Sequence, residues 1–211
     1  MKGQVDTELL ARWVELAGLN AEPVGAELVG RYREVHRRYH TVEHLAAMLA
    51  AIDELAAEAD ELDAVLYAAF FHDAVYAVDR ADNEERSAEL AEQELEKLGA
   101  APELVAEVGR LVRLTAGHDP EPGDRNGAVL CDADLVVLAA DAAGYAAYTT
   151  AVRAEYQHVP DDLFRAGRTA VLEGLARQPR LFRTAAAARF EAAARANLAA
   201  ELAQIRPADR E

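Results

Sequence analysis

A histidine and an aspartate stand side by side in the most apolar part of the chain. His72 and Asp73 directly follow the apolar residues 67–71. Burying an imidazole and a carboxylate is costly unless another group compensates them. A divalent metal ion is a natural compensation, because both groups are ligands for Mn, Fe, Zn, Co or Ni. The alternative is a chance dipeptide, and a second such pair, His118-Asp119, occurs in a loop where water can satisfy it.

Two other regions carry metal-ligand side chains in apolar surroundings. His44 falls at the start of a predicted helix on the same face as Met48, so we expect it to point toward the core. Asp132 and Asp134 lie within the strongly apolar residues 129–138. Two residues apart on a helix they point about 200° apart, so at most one reaches a given metal directly. The other would serve a helix start or support the ligands.

The elements that must position these groups are all predicted to be helices. Strand signals are scarce, whereas Ala, Leu, Glu and Arg dominate the sequence. We therefore expect an all-α fold. The predicted helices, with approximate bounds, are 7–17, 23–35, 42–61, 62–78, 83–98, 102–116, 128–140, 141–157, 161–177 and 184–205.

The predicted helix 62–78 is apolar nearly all round, which is typical of a central buried helix, and it would contain His72 and Asp73. Glycines and prolines make 117–127 a loop. No internal repeat or linker divides the chain. We expect one helical domain over 1–211, with a metal-binding core at about 30–145 and C-terminal helices at about 146–205 packed on it.

The order His44, His72-Asp73, Asp134 resembles the H...HD...D pattern of the HD superfamily of metal-dependent phosphohydrolases. The resemblance implies a helical HD-domain bundle with the metal between helices, and it gives the ligand role to these four residues. The Ala-Asp-Leu context aligns Asp134, rather than Asp132, with the final ligand. Five segments resemble one bacterial subgroup of predicted HD phosphohydrolases: RRYHTVEH (37–44), FHDAVY (71–76), DNEERSA (82–88), DADL (132–135) and VRAEY (152–156).

Three residues near these motifs are further candidates. Thr41 is a good N-cap and leaves His40 outside the helix, so His40 supports the ligands, contacts substrate or simply packs. His118 resembles the extra histidines of two-metal HD phosphohydrolases and would bind a second metal or act on substrate; a solvated loop histidine is the alternative. Glu84 begins a helix, where capping explains it, but it could also bind metal or move a proton.

Three arginines are candidates for contact with a phosphate. Arg37 and Arg38 precede the helix of His44, and guanidinium groups suit phosphate oxygens; salt bridges are the alternative in this acidic chain. Arg153 matches the subgroup pattern, either as a substrate contact or as part of a structural network.

Asp132 is expected to support the metal site without binding the ion.

The resemblance implies a metal-dependent phosphohydrolase that acts on a small phosphorylated metabolite, with a nucleotide as the expected class. Asp73 would orient the attacking water, and one or two divalent ions (Mn, Mg, Fe, Co, Ni or Zn) would activate it. Two other classes stay open, an HD-fold di-iron oxygenase and a non-catalytic helical protein that binds a metal or a nucleotide.

Charge and composition narrow the partners. The formal net charge of −16 disfavours nucleic acid and anionic membrane surfaces. We expect no membrane segment, because the apolar residues 64–78 are too few to span a bilayer and include His72 and Asp73. The single cysteine, Cys131, cannot form an internal disulfide, so a cytoplasmic location is expected. The remaining partners are the small phosphorylated substrate and, as an open alternative, a second copy in a homodimer.

Overall fold

The computed structural model describes residues 2–205. In that range the chain forms ten α-helices and no β-strand, which confirms the all-α prediction. The helices are α1 (Lys2–Ala17), α2 (Glu22–Arg31), α3 (Val42–Leu55), α4 (Leu62–Phe71), α5 (Asn83–Lys97), α6 (Pro102–Leu114), α7 (Arg125–Leu135), α8 (Ala142–Glu155), α9 (Asp161–Arg177) and α10 (Glu191–Ile205). None of the helices in this range combines the length and apolarity that crossing a bilayer requires.

Helix α4 is the central element of the core. It contacts α1, α3, α5, α6 and α7, and seven of its ten residues are buried. A helix surrounded on all sides must be apolar on all sides, which explains the sequence of residues 62–71. The position of α4 brings its C-terminal end, and the residues that follow, into the middle of the molecule.

The first helix anchors one side of α4 through a tryptophan. The ring of Trp13 packs edge-on against the rings of Tyr67, Phe70 and Phe71, with centroids 5.2–5.8 Å apart. Its indole Nε1 donates a hydrogen bond to the carbonyl oxygen of Ala21 at 2.7 Å, so this buried donor is satisfied. These contacts fix the register of α4 against α1.

Helix α4 ends seven residues earlier than the expected 78. The backbone after Phe71 turns away from the helix, and side chains of α5 bind it. The Oγ of Ser87 accepts from the amide of Val75 at 3.0 Å, and the Oδ1 of Asn83 accepts from the amide of Ala77 at 3.1 Å. Apolar composition therefore reported burial correctly, but not helix length.

Other boundaries also differ from the expected ones. Helix α1 begins by Lys2, before the expected start at residue 7. Helix α7 begins at Arg125, inside the expected loop, because the carboxylate of Asp124 accepts from the amide of Gly127 at 2.8 Å and caps the helix. A 3-10 helix occupies residues 136–139, and another, 186–190, precedes α10.

The C-terminal helices join the core mainly through α10. Helix α10 packs on α9 and on the 3-10 segment that follows α7. Leu172 of α9, Phe182 and Leu198 of α10 belong to the same buried apolar cluster as Trp13 and the rest of the core. Helix α8 contacts the same 3-10 segment, and residues of α8 and α9 line a cavity together with the last turn of α7.

Candidate metal centre

Three helices bring two histidines and an aspartate together. His44 lies in the first turn of α3, His72 ends α4, and Asp134 lies in the last turn of α7. One ligand atom from each lies within 4.8 Å of the others. The Nε2 atoms of the two histidines are 3.2 Å apart, and Oδ1 of Asp134 lies 3.2 Å from Nε2 of His44. This buried group could hold a divalent metal ion, because neutral imidazole and carboxylate form a suitable donor set.

The far side of the His72 ring shows which nitrogen faces the group. Nδ1 lies 2.8 Å from the carbonyl oxygen of Ala69, which can only accept, so Nδ1 carries a proton. Nε2 is then directed at the group, as in histidines that bind metals. Burial alone would lower the pKa of His72, but the carboxylates of Asp73 and Asp134 raise it to about 9. A proton or a cation is therefore favoured at this point.

Asp73 lies beside the group of three. Its Oδ2 is 3.0 Å from Nε2 of His72 and 3.8 Å from Nε2 of His44. Burial opposes its ionisation, but His72 and His40 hold the pKa of the carboxyl well below its usual range. The side chain is thus an anion at neutral pH, and it can serve as a further ligand or orient a water molecule.

His118 contacts the carboxylate of Asp134 at Oδ2, whereas His44 faces Oδ1. Its Nε2 lies 2.7 Å from Oδ2 of Asp134, so it is held in place rather than free in solvent. It is also the non-glycine residue with a left-handed backbone in residues 2–205, at φ 49°. This backbone conformation costs energy for a non-glycine residue. Residues with such conformations are frequent at functional sites. This turn after α6 points the imidazole at Asp134.

The two carboxylates of α7 point to different parts of the molecule, as helical geometry requires. Asp132 is buried and accepts hydrogen bonds from the amides of Arg183 and Thr184, both at 2.8 Å, and from the Thr184 hydroxyl at 2.7 Å. Its carboxylate thus caps the segment that leads into α10. This corrects the expectation that Asp132 supports the metal ligands.

His40 is oriented by a buried glutamate. Its Nδ1 lies 2.8 Å from Oε1 of Glu155, whose Oε2 accepts from the amides of Arg38, Tyr39 and His40 at 2.7–3.2 Å. Burial opposes ionisation of Glu155, but His40 and these amides lower its pKa to about 2. Burial opposes protonation of His40, but nearby carboxylates raise its pKa. The ring of His40 lines the cavity beside Asp134.

Glu155 belongs to the segment VRAEY (152–156), which matches the subgroup pattern as a substrate contact or as part of a structural network, but its pairing with His40 was not predicted. Glu155 follows Val152 by three residues on α8, and both are buried. Residues three apart share a helix face, so a glutamate on an apolar face was the available signal.

Arg37 lies beneath the site. Its side chain is 0% exposed, and the guanidinium donates to the carbonyl oxygens of Asp73 (2.7 Å), His40 (3.2 Å) and Ala74 (3.3 Å) and to the carboxylate of Glu34 (3.1 Å). Because no part of this side chain is exposed, a substrate cannot reach the guanidinium. Arg37 therefore positions the turn after α4, which corrects the expectation that it contacts a substrate phosphate.

Of the remaining candidates, Glu84 lines the cavity at the group, whereas Arg38 and Arg153 do not. Glu84, in the first turn of α5, lines the same cavity as His118 and Asp134. Arg38 is exposed and donates to the carbonyl oxygens of Val35 and Arg37. Arg153 donates to carbonyl oxygens of the turn after α8 and pairs with Asp161. Neither arginine is among the residues that line the cavity.

Comparisons of the chain with models of protein families, with curated proteins and with solved structures gave no match. The side chains of the site are therefore the observations that bear on function.

Proposed function

We propose that this protein is a metal-dependent phosphohydrolase of the HD type that acts on a small phosphorylated metabolite. The observation that carries the proposal is the buried convergence of His44, His72 and Asp134, with Asp73 adjacent. Three or four protein ligands of this kind leave positions open for water and substrate. A divalent ion bound there supplies Lewis-acid polarisation of a phosphoryl oxygen and lowers the pKa of water.

The residues around the group have distinct proposed roles. Asp73, an anion within 3.0 Å of His72, would accept a hydrogen bond from the attacking water and orient it. His40, held at Nδ1 by Glu155, would donate a hydrogen bond from Nε2 to an oxygen of the phosphoryl group. Glu84 lines the cavity and is the further candidate to move a proton. Hydrolysis forms a bond from the water oxygen to phosphorus and breaks the ester bond, which releases an alcohol and phosphate.

The net charge of the protein favours a small anion over a polyanion as its binding partner. A net charge of −16 repels polyanions such as nucleic acid, whereas a cationic site inside the protein can still attract a small anion. A cytoplasmic location stays a prediction that rests on the single cysteine.

The direct test is a substrate screen. The protein, loaded in turn with Mn, Mg, Co and Ni, is assayed for phosphate release from phosphomonoesters, nucleotides and cyclic dinucleotides. We expect turnover of at least one class, and its loss in His72→Ala with the fold retained by circular dichroism. An absence of turnover with every metal would contradict the proposal, and nucleotide binding without turnover would favour a non-catalytic role.

One observation favours a second candidate, an HD-fold di-iron oxygenase. Nε2 of His118 lies 2.7 Å from Oδ2 of Asp134, whereas Nε2 of His44 lies 3.2 Å from Oδ1, so Asp134 and His118 are the residues that would hold a second ion. Metal analysis distinguishes the two functions. Two irons per chain with a mixed-valence electron paramagnetic resonance signal would support the oxygenase, whereas hydrolysis with a redox-inert ion such as Mg supports the phosphohydrolase.

A further inference from the structure

A cavity of about 760 Å³ opens at the candidate metal centre and extends between α8 and α9. One end is polar and is formed by His40, Glu84, His118 and Asp134. A volume in this range accommodates a ligand considerably larger than phosphate. The rest of the cavity must therefore contact some other part of the substrate.

The extended part of the cavity is lined by apolar and aromatic side chains. These side chains include Val152, Tyr156, Leu163, Phe164, Val171 and Leu175. Aromatic side chains contribute large contact areas and favour stacking with planar groups. This part of the cavity suits an apolar body better than a sugar, whose hydroxyl groups would need partners.

Two of these side chains are exposed to a degree unusual for apolar groups. Leu163 is 61% exposed and Val171 is 54% exposed, and both belong to α9. Leu172, on another face, is the buried residue that attaches α9 to the core. The face of α9 toward the cavity is thus available to a ligand.

The charges along the cavity argue against a substrate with several phosphates. Arg168 is the arginine that lines the cavity, and there is no lysine in its lining. Its guanidinium donates to both carboxylate oxygens of Glu201, at 2.7 and 3.0 Å, and to the hydroxyl of Tyr148 at 3.0 Å. Its charge is therefore already paired. A second phosphate in this region would find no free cationic partner among the lining residues.

We propose that the substrate is a phosphomonoester with a single phosphoryl group at the metal centre and an aromatic, apolar body in the groove between α8 and α9. This inference rests on the proposed phosphohydrolase function. It narrows the expected substrate class. A small sugar phosphate would leave the groove unfilled, and a nucleoside polyphosphate would place charge in it.

Two glycines on α9 allow the groove to be filled without disturbing the core. Gly167 and Gly174 line the cavity, and a Cβ atom added at either would meet no other atom within 4 Å. They lie seven residues apart and therefore on the same helix face. Leucine at either position would occupy the space of the ligand, and it is a better helix former than glycine. Gly30 on α2 is exposed, has equal free space and provides a matched control.

The test compares two non-hydrolysable probes, methylphosphonate and (1-naphthylmethyl)phosphonate, by calorimetric titration of the Mn-loaded protein. For the wild type we expect the naphthyl probe to bind at least ten-fold more tightly, which corresponds to about 1.4 kcal/mol. We expect this ratio to fall toward one in Gly167→Leu and Gly174→Leu and to persist in Gly30→Leu. Mn content and the thermal midpoint are measured for every variant to show that the fold and the metal centre are intact.

The outcomes separate this inference from the proposed function. Equal affinity for the two probes, or an unchanged ratio in both groove variants, overturns the inference even if the protein hydrolyses phosphate esters. If the wild type binds the naphthyl probe at least ten-fold more tightly and the groove variants lose this preference, but the protein hydrolyses no phosphate ester, the groove is supported as a binding site and the phosphohydrolase function is contradicted. A dimer that Val171→Asp converts to a monomer would show that a second copy covers the groove, which also overturns the inference.

Discussion

Replacing the two α7 carboxylates by amides, one at a time, should affect different properties. Asp134→Asn should weaken metal binding, whereas Asp132→Asn should lower stability. Asp134→Asn keeps the side-chain shape but removes the charge beside His44 and His72. Asp132→Asn leaves that group untouched and alters the cap on residues 183–184. The two substitutions are chemically identical and lie on the same helix, so each serves as the control for the other.

The magnitudes follow from the contacts of each carboxylate. The Asp132 carboxylate accepts three hydrogen bonds through its two oxygens. An asparagine amide keeps one acceptor oxygen and has an NH2 group in place of the other, so at least one of the three donors loses its partner. A buried donor left without a partner costs roughly 1–3 kcal/mol. Burial raises the pKa of Asp132, so removing its charge offsets part of that loss. We expect Asp132→Asn to lower the free energy of unfolding by about 2 kcal/mol.

The assay combines urea unfolding of the metal-free variants with competition titration of Mn against a chelating dye. Asp134→Asn should weaken metal affinity by more than about 100-fold, beyond the loss typical of residues that only support a ligand. Asp132→Asn should lose less than the roughly 10-fold that marks a residue supporting a ligand, and it should show the loss of stability. Equal loss of metal affinity in the two variants, or tighter binding by Asp134→Asn, would refute the placement of the site.

Two further predictions concern stability. Gly25→Ala should destabilise the fold by about 1–3 kcal/mol, because its Cβ would clash with the buried ring of Trp13, whereas Gly30→Ala, with free space, should be neutral or slightly stabilising in the same urea titration. The buried Glu155 carboxylate has a pKa lowered to about 2, so it contributes stability above its unfolded pKa of about 4.3 that is lost as the pH falls toward 2. Metal-free wild type should therefore lose roughly 3 kcal/mol more than Glu155→Gln between pH 6 and pH 2, and equal losses would show that His40 and the backbone amides do not stabilise the ionised carboxylate.

Periodicity predicted the helices but not the turn that carries Asp73. The apolar sequence from 62 to 78 is consistent with a long helix, and the residues up to Phe71 do form one. Beyond it the backbone is satisfied by side chains of the next helix, α5: Ser87 binds the amide of Val75, 12 residues earlier, and Asn83 binds the amide of Ala77, six residues earlier. Apolar periodicity does not contain that information, because composition reports burial and the contacts with α5 decide where the helix ends.

The same distinction applies to the site. Helical geometry predicted that Asp132 and Asp134 diverge, because the angle between two side chains on one helix is a local property. It could not predict that Arg37 would be buried under the turn after α4, because a guanidinium can donate to backbone carbonyl oxygens as well as to phosphate oxygens. The pairing of His40 with Glu155 joins residues 115 positions apart and depends on the packing of α8.

The most direct test of the metal centre is the metal content of protein purified without added metal. We expect about one or two divalent ions per chain in the wild type by inductively coupled plasma mass spectrometry, and less than about a tenth of that amount in His72→Ala, which removes a buried ligand. His158→Ala, which changes an exposed histidine outside the cluster, should match the wild type. Equal metal content in all three proteins, or a wild type that binds no divalent ion even after loading, would contradict the assignment of His44, His72 and Asp134 as a metal centre.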